Sequence, residues 1–261
     1  MSFTPFILGS GYTAWSALGR TRERQMQVLT NSAEQQRDEA YFRQKIGGVS
    51  SAADLVADRR LLKVALGAFG LEGDIANRAF IRRVLEDGTL KPGALSSKLA
   101  DKRYAELSRA FGFDLAVPRT KISDFADRLL PDYRARRFEQ AVGEVNPTLR
   151  LALTAERELP KIASDRGSAN TKWFRILGNA PLRSFVETAF GLPKAFGAIN
   201  LDQQVTAVRA KAERMLGSDD PSALADKATL DKMIRMYVIR DNQQNNAPAR
   251  GQLALQLLSP P

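Results

Sequence analysis

The chain has 261 residues, and neither cysteine nor histidine is among them. Without cysteine there can be no disulfide, no thiolate metal ligand and no thiol nucleophile. Without histidine the commonest general base and the commonest metal ligand are also missing. Any catalysis would have to rest on carboxylates, Lys, Tyr, Ser or Thr. The adjacent acids Glu86-Asp87 and Asp219-Asp220 sit in "EDGT" and "SDDPS", which is turn and cap chemistry. No phosphate loop, zinc spacing, nucleophile elbow or dinucleotide fingerprint occurs. The expectation is therefore a protein that is not an enzyme and that has no cofactor or metal site.

Long apolar runs are lacking as well. Residues 1–19, "MSFTPFILGSGYTAWSALG", carry no charge, but they have no basic leader and are interrupted by Pro5, Gly9, Ser10 and Gly11. No stretch approaches the length that spans a bilayer. These features predict no membrane span and no Sec-type signal, and hence a protein of the cytoplasm or one exported by another route.

What is abundant is positive charge: 39 Lys and Arg against 29 Asp and Glu, a net +10. Such a balance favours acidic partners, whether nucleic acid or another acidic surface. The signs are interleaved, as in "TRERQMQ" and "DYRARRFEQAVGE", which is the pattern of solvated helix faces. The densest basic group is Arg128, Arg134, Arg136 and Arg137, followed by Arg150. One reading makes these anion contacts, with Tyr133 or Phe138 as a stacking platform for nucleic acid. The other makes them a solvated face with Phe138 in the core, since Glu139 and Glu144 share the region.

Helix signals run through the chain and strand signals are scarce. Residues 14–45 read as one or two long helices with a thin apolar stripe, and their middle, "TNSAEQQRDEA", is almost wholly polar. So narrow a stripe predicts a projecting arm or a coiled-coil partner. Ser51 and Asp54 resemble a capping box, and "DLVADRRLLKVALGAF" then reads as one core helix. Pro131 and Pro147, the latter behind Asn146, each fit the first turn of a helix. Ala-Phe-Gly followed by an apolar residue occurs three times, from Ala68, Ala110 and Ala189. Because a helix precedes each one, Gly70, Gly112 and Gly191 are read as helix C-caps and not as phosphate-binding loops.

The fold expected is all-α: an irregular multi-helix domain with a protruding N-terminal helical arm. Its parts are an arm over 1–46, an all-helical core over 47–240 that is compatible with a duplicated helical unit, and a polar linker with an apolar tail over 241–261. Partner contacts are expected through Trp15, Leu18, Met26 and Leu29 on the arm and Leu253, Leu255, Leu257 and Leu258 on the tail. The partner would be another protein or a second copy of the chain. The alternative is a basic helical protein that binds nucleic acid or another acidic surface through the arginines named above.

The phrases "DLVADRRLLKVALGAFGLEGD", "FIRRVLEDG", "KLADKRYAELSRAFGF", "FEQAVGEVNPTLRLALTAERELPKIA" and "ILGNAPLRSFVETAFGLP" resemble a bacterial, mostly alphaproteobacterial, family known as domain of unknown function 1217. The likeness covers about residues 38–240 and brings no catalytic residues with it. Genes of that family tend to lie near flagellar genes, so the resemblance implies a role in flagellar assembly or structure. Axial flagellar proteins tend to lack cysteine and a cleavable signal and to use long terminal helices, traits this chain shares. They also tend to carry β-rich domains, so an all-helical chain points to an accessory, chaperone-like or scaffold role.

Overall fold

The structure is a computed structural model that describes residues 3–246, so the nominated tail residues Leu253, Leu255, Leu257 and Leu258 lie outside the described residues. No strand occurs among the described residues, which form thirteen α-helices joined by short loops and 3-10 turns. In chain order these are α1 (Gly11–Thr30), α2 (Ala33–Lys45), α3 (Ala52–Ala57), α4 (Arg59–Phe69), α5 (Arg78–Asp87), α6 (Leu95–Lys98), α7 (Arg103–Phe111), α8 (Phe125–Val145), α9 (Pro147–Ala163), α10 (Ala169–Leu177), α11 (Ala180–Phe190), α12 (Leu201–Leu216) and α13 (Lys227–Asn246).

Two compact units divide the chain at points other than residue 46. Among the described residues, the first takes in 3–6, Arg20–Arg150 and Arg175–Ala180; the second takes in Ile7–Gly19, Leu151–Phe174 and 181–246.

In the first unit α4 is the central element. Leu61, Leu62, Val64, Ala65, Leu66, Gly67 and Ala68 are all buried, so apolar side chains leave it in nearly every direction. It packs against α2, α3, α7 and α8. Gly67 has a steric purpose: a Cβ there would lie 2.8 Å from the Tyr133 ring, so only glycine lets α8 bring that ring against α4. The core helix expected from residue 54 onward is broken at Asp58, which leaves α3 and α4 as separate helices. Asp58 is extended, at φ −91° and ψ 104°, and its carboxylate accepts the amides of Arg60 (2.9 Å) and Leu61 (3.1 Å). A strong N-cap thus outcompetes helix continuation.

Pro131 does not open a helix either. It lies inside α8, where burial of Leu129, Leu130 and Tyr133 around it offsets the missing hydrogen bond. Pro147 does start α9, with Asn146 Oδ1 accepting the Leu149 amide at 3.1 Å.

The second unit is held by aromatic packing. Trp173 meets Phe190 edge-on with ring centroids 6.3 Å apart, and Phe185 lies 4.7 Å from Tyr237. The Trp173 indole N–H donates to the Asp219 carbonyl at 2.8 Å, which satisfies the one polar atom of a buried ring.

The Ala-Phe-Gly segments end helices. Gly70, Gly112 and Gly191 have φ of 68°, 62° and 60°. After Gly70, the Leu71 amide bonds back to the Leu66 carbonyl at 2.9 Å; after Gly191, Leu192 bonds to Glu187 at 2.8 Å. Both are Schellman endings, and at Gly112 the simpler bond to Ser108, 2.9 Å, takes their place.

The segment expected to project does not do so over its second half. α2 lies against α4 and α8, with Gln35, Asp38, Glu39 and Phe42 buried. These four positions follow i, i+3, i+4, i+7, the spacing of a core face written largely in polar residues.

Candidate functional site

Charge is what docks α2. Lys63 of α4 donates from Nζ to Asp38 at 2.7 Å and to Glu34 at 2.9 Å. Arg134 of α8 grips Glu39 with two nitrogens, Nε at 2.7 Å and Nη2. Gln35 Nε2 at 3.0 Å and Arg43 Nη1 at 3.4 Å complete the shell around Glu39. The two-pronged guanidinium–carboxylate pair is the geometry for which arginine is suited. Burial pushes the Glu39 carboxyl up, but the hydrogen bonds and charge of Arg134 more than reverse this and hold it below the ordinary value. The hydrogen bond and charge of Lys63 lower Glu34 in the same way. Burial alone would depress Lys63, yet Asp38 and Glu34 leave it raised.

Beside this docked helix, the same faces of α4 and α8 enclose a cleft of about 510 Å³. Its cations are Arg59, Arg60 and Lys63 from α4 and Arg136 and Arg137 from α8, set against the carboxylates of Asp38 and Glu72. Tyr133 and Gly67 line it too. Burial, reinforced by the Asp38 charge, raises the Tyr133 hydroxyl well above its ordinary value, so it stays a proton donor.

Each α4 cation is placed differently. The guanidinium of Arg60 stacks 4.1 Å over the Tyr41 ring, and its Nη2 donates to the Arg37 carbonyl at 3.2 Å. Arg59 is exposed and makes no hydrogen bond or ion pair with any described residue. On α8, Arg137 reaches Gln140 at 3.1 Å and Glu34 at 3.5 Å, but its Nε–H is buried and has no acceptor. Across the cleft, Glu72 Oε1 accepts from Arg150 at 3.2 Å while Oε2 is buried and has no donor. Buried polar atoms left in this state can be completed by water or by a further molecule.

The nominated anion contacts therefore divide. Arg136 and Arg137 line the cleft. Arg134 is committed to Glu39, Arg150 to Glu72, and Arg128 to Asp124 at 2.7 Å. Arg128 also edges a second, apolar groove of about 300 Å³ that includes Phe69, Ile122, Phe125 and Leu129. Phe138 is buried, and Tyr133, although part of the cleft lining, is buried too, so neither offers a free stacking surface. Of the nominated arm residues, Leu18 and Leu29 are buried, while Trp15 and Met26 are half-buried. The apolar side chains exposed near the N-terminus are instead Phe6, Leu8, Tyr12 and Val28.

Sequence reasoning passed over Arg59, Arg60, Lys63 and Glu72. The signal was present: "DRRLLK" sets cations at 59, 60 and 63 within about one helical turn, and "EQQRDE" sets acids at 34, 38 and 39.

One further constellation looks chemical. In the second unit Lys172 is buried, and its Nζ donates to the Ala163 carbonyl at 2.8 Å and to Ser222 Oγ. Ser222 Oγ in turn donates to Asp220 at 2.7 Å. A serine–lysine nucleophile needs a neutral amine that accepts the hydroxyl proton. Here Asp220, held below its ordinary value by the Ser222 amide and hydroxyl and by the Lys172 charge, accepts a hydrogen bond from the hydroxyl. No cluster of metal-ligating side chains occurs among the described residues. No helix among them is long and apolar enough to cross a membrane.

A search of curated proteins finds no match. Among solved structures, the X-ray crystal structure of a protein from Agrobacterium tumefaciens is similar, with a TM-score of 0.70 and 27% identity over 94% of this chain and 98% of that one. The family model described as "Protein of unknown function (DUF1217)" matches residues 68–230, which include α5 to α12 and the α8 wall of the cleft. With well over half its length matched, the chain belongs to the DUF1217 family.

Proposed function

We propose that this is a non-enzymatic interaction protein that holds an acidic partner in the cleft between α4 and α8. The observation that carries the reading is the lining itself: four guanidinium groups and one ammonium converge on a volume of binding-site size. Arginine stays protonated in proteins and presents donors only, so these guanidinium groups are suited to grip an anion.

The family resemblance extends this to a flagellar setting, with the partner a component of flagellar assembly or structure and the protein an accessory or scaffold. Nucleic acid is the second reading, favoured by the net charge of +10. It is weakened by the pairing of Arg128, Arg134 and Arg150 with carboxylates of the chain itself.

The test is fractionation in the native bacterium, in cells with and without a working flagellar export apparatus. The protein should accompany flagellar fractions only in the first, and an Arg59→Gln/Arg136→Gln variant should be lost from them. If the distribution is the same in both backgrounds, the flagellar setting is wrong. If the variant still accompanies those fractions, the cleft is not the contact.

A further inference from the structure

We propose that the cleft takes a helical protein segment carrying carboxylates, docked in the manner of α2; this rests on the reading of the cleft as a binding site.

The chain supplies its own template. α2 shows which ligand the basic faces of α4 and α8 accept: a helix whose acids recur at i, i+4 and i+5. Glu34, Asp38 and Glu39 are read by Lys63, Arg134 and Arg137. Three of the side chains in that contact, Asp38, Lys63 and Arg137, also line the cleft, so the docked helix and the open volume share one wall. α2 therefore covers part of a basic surface that continues past it to Arg59.

The atoms left over describe the missing ligand. Arg59 has no partner, and Arg137 Nε–H, buried, has no acceptor. Both call for an acceptor with negative charge. Glu72 Oε2, buried on the same cleft, calls for a donor. A peptide supplies both, carboxylates from its side chains and N–H groups from its backbone and amide side chains. A phosphodiester backbone supplies acceptors only, so a donor to Glu72 would have to come from the bases of a nucleic-acid strand. The precedent of α2, a carboxylate-bearing helix held by Lys63 and Arg134, favours the protein segment.

The experiment uses the full chain at low salt, with fluorescently labelled probes read by anisotropy. The first probe is a designed alanine-based helical peptide with acids at the spacing of 34, 38 and 39. The second is the same peptide with Gln and Asn in their place. The third is a short single-stranded oligothymidylate, and the fourth, unlabelled, is inorganic pyrophosphate as a competitor.

The acidic peptide should bind saturably, the neutral peptide about tenfold or more weaker, and the oligothymidylate weaker than the acidic peptide. Arg59→Gln, at an exposed and partnerless position, should leave folding unchanged and weaken the acidic peptide severalfold. Arg59→Gln/Arg137→Gln should weaken it by about tenfold or more. If the oligothymidylate or pyrophosphate binds at these arginines while the acidic peptide does not, the ligand class is wrong and the cleft still stands as an anion site. If the peptide binds equally well to wild type and Arg59→Gln, its site lies elsewhere and the inference falls. If no probe binds, the inference and the reading beneath it fall together.

Discussion

Helices α2 and α11 bury the same pattern of positions with opposite chemistry. α11 buries Leu182, Phe185, Val186 and Ala189; α2 buries Gln35, Asp38, Glu39 and Phe42. Both sets fall at i, i+3, i+4 and i+7. The first is held by apolar area and aromatic packing, which depend little on pH or salt. The second is held by a lattice of hydrogen-bonded ion pairs, which depend on both. The cleft adjoins the second. The difference separates a helix seated by apolar packing from one seated by ion pairs.

The contrast can be broken in order of expected effect. Phe185→Ala removes a fully buried ring against Tyr237 and should destabilise the second unit by about 3–5 kcal/mol, measured by denaturant unfolding. Glu39→Ala strands the Arg134 guanidinium. Because Glu39 is buried and Arg134 is about a third exposed, the loss should be about 2 kcal/mol, between the values for surface and fully buried pairs. It should shrink with added salt, whereas the Phe185→Ala loss should not.

Acid should act on α2 and spare α11. Glu34 and Glu39 are both held below the ordinary carboxylate value, so their contribution is complete above that value and is lost as pH falls through the lowered one. Lys63 is shifted upward, so its share is present at every lower pH and disappears only above the ordinary lysine range. Hydrogen exchange should therefore show α2 amides losing protection below about pH 4 while α11 amides keep theirs. Parallel loss in both helices would mean that charge does not distinguish them.

The smallest effect compares two caps. Gly70→Ala and Gly191→Ala each place a side chain at positive φ and should cost about 1 kcal/mol. The neighbours differ: a Cβ at Gly191 meets Arg240 no closer than 3.6 Å, but one at Gly70 meets the tip of Arg136 at 2.8 Å. Gly70→Ala should displace that guanidinium and weaken binding in the cleft, and Gly191→Ala should not.

This contrast also explains what could be read in advance. α11 was legible because its buried residues are apolar and its ends carry Pro181 and Gly191. The caps at Gly70, Gly112 and Gly191 and the helix start at Pro147 were legible for the same local reasons. α2 was not, because hydropathy counts Asp38 and Glu39 as solvent-facing, and only the partner helices reveal that Lys63 and Arg134 meet them. The continuation through Pro131 is likewise settled by tertiary context, which overrides local preference, whereas the break at Asp58 comes from a local N-cap onto the Arg60 and Leu61 amides. Of the candidate site, Arg136 and Arg137 were visible as a basic group on α8; Arg59, Arg60 and Lys63 belong to a helix that read simply as core.

The most direct test is a double-mutant cycle on the pair that anchors α2, Glu39→Gln and Arg134→Met, followed by denaturant unfolding. If the basic faces of α4 and α8 recognise carboxylates, the two changes should couple by about 1–3 kcal/mol, and the coupling should fall as salt rises. Additivity within about 0.3 kcal/mol would mean that α2 is seated by Phe42 and its apolar neighbours alone, and that this surface does not read acidic groups.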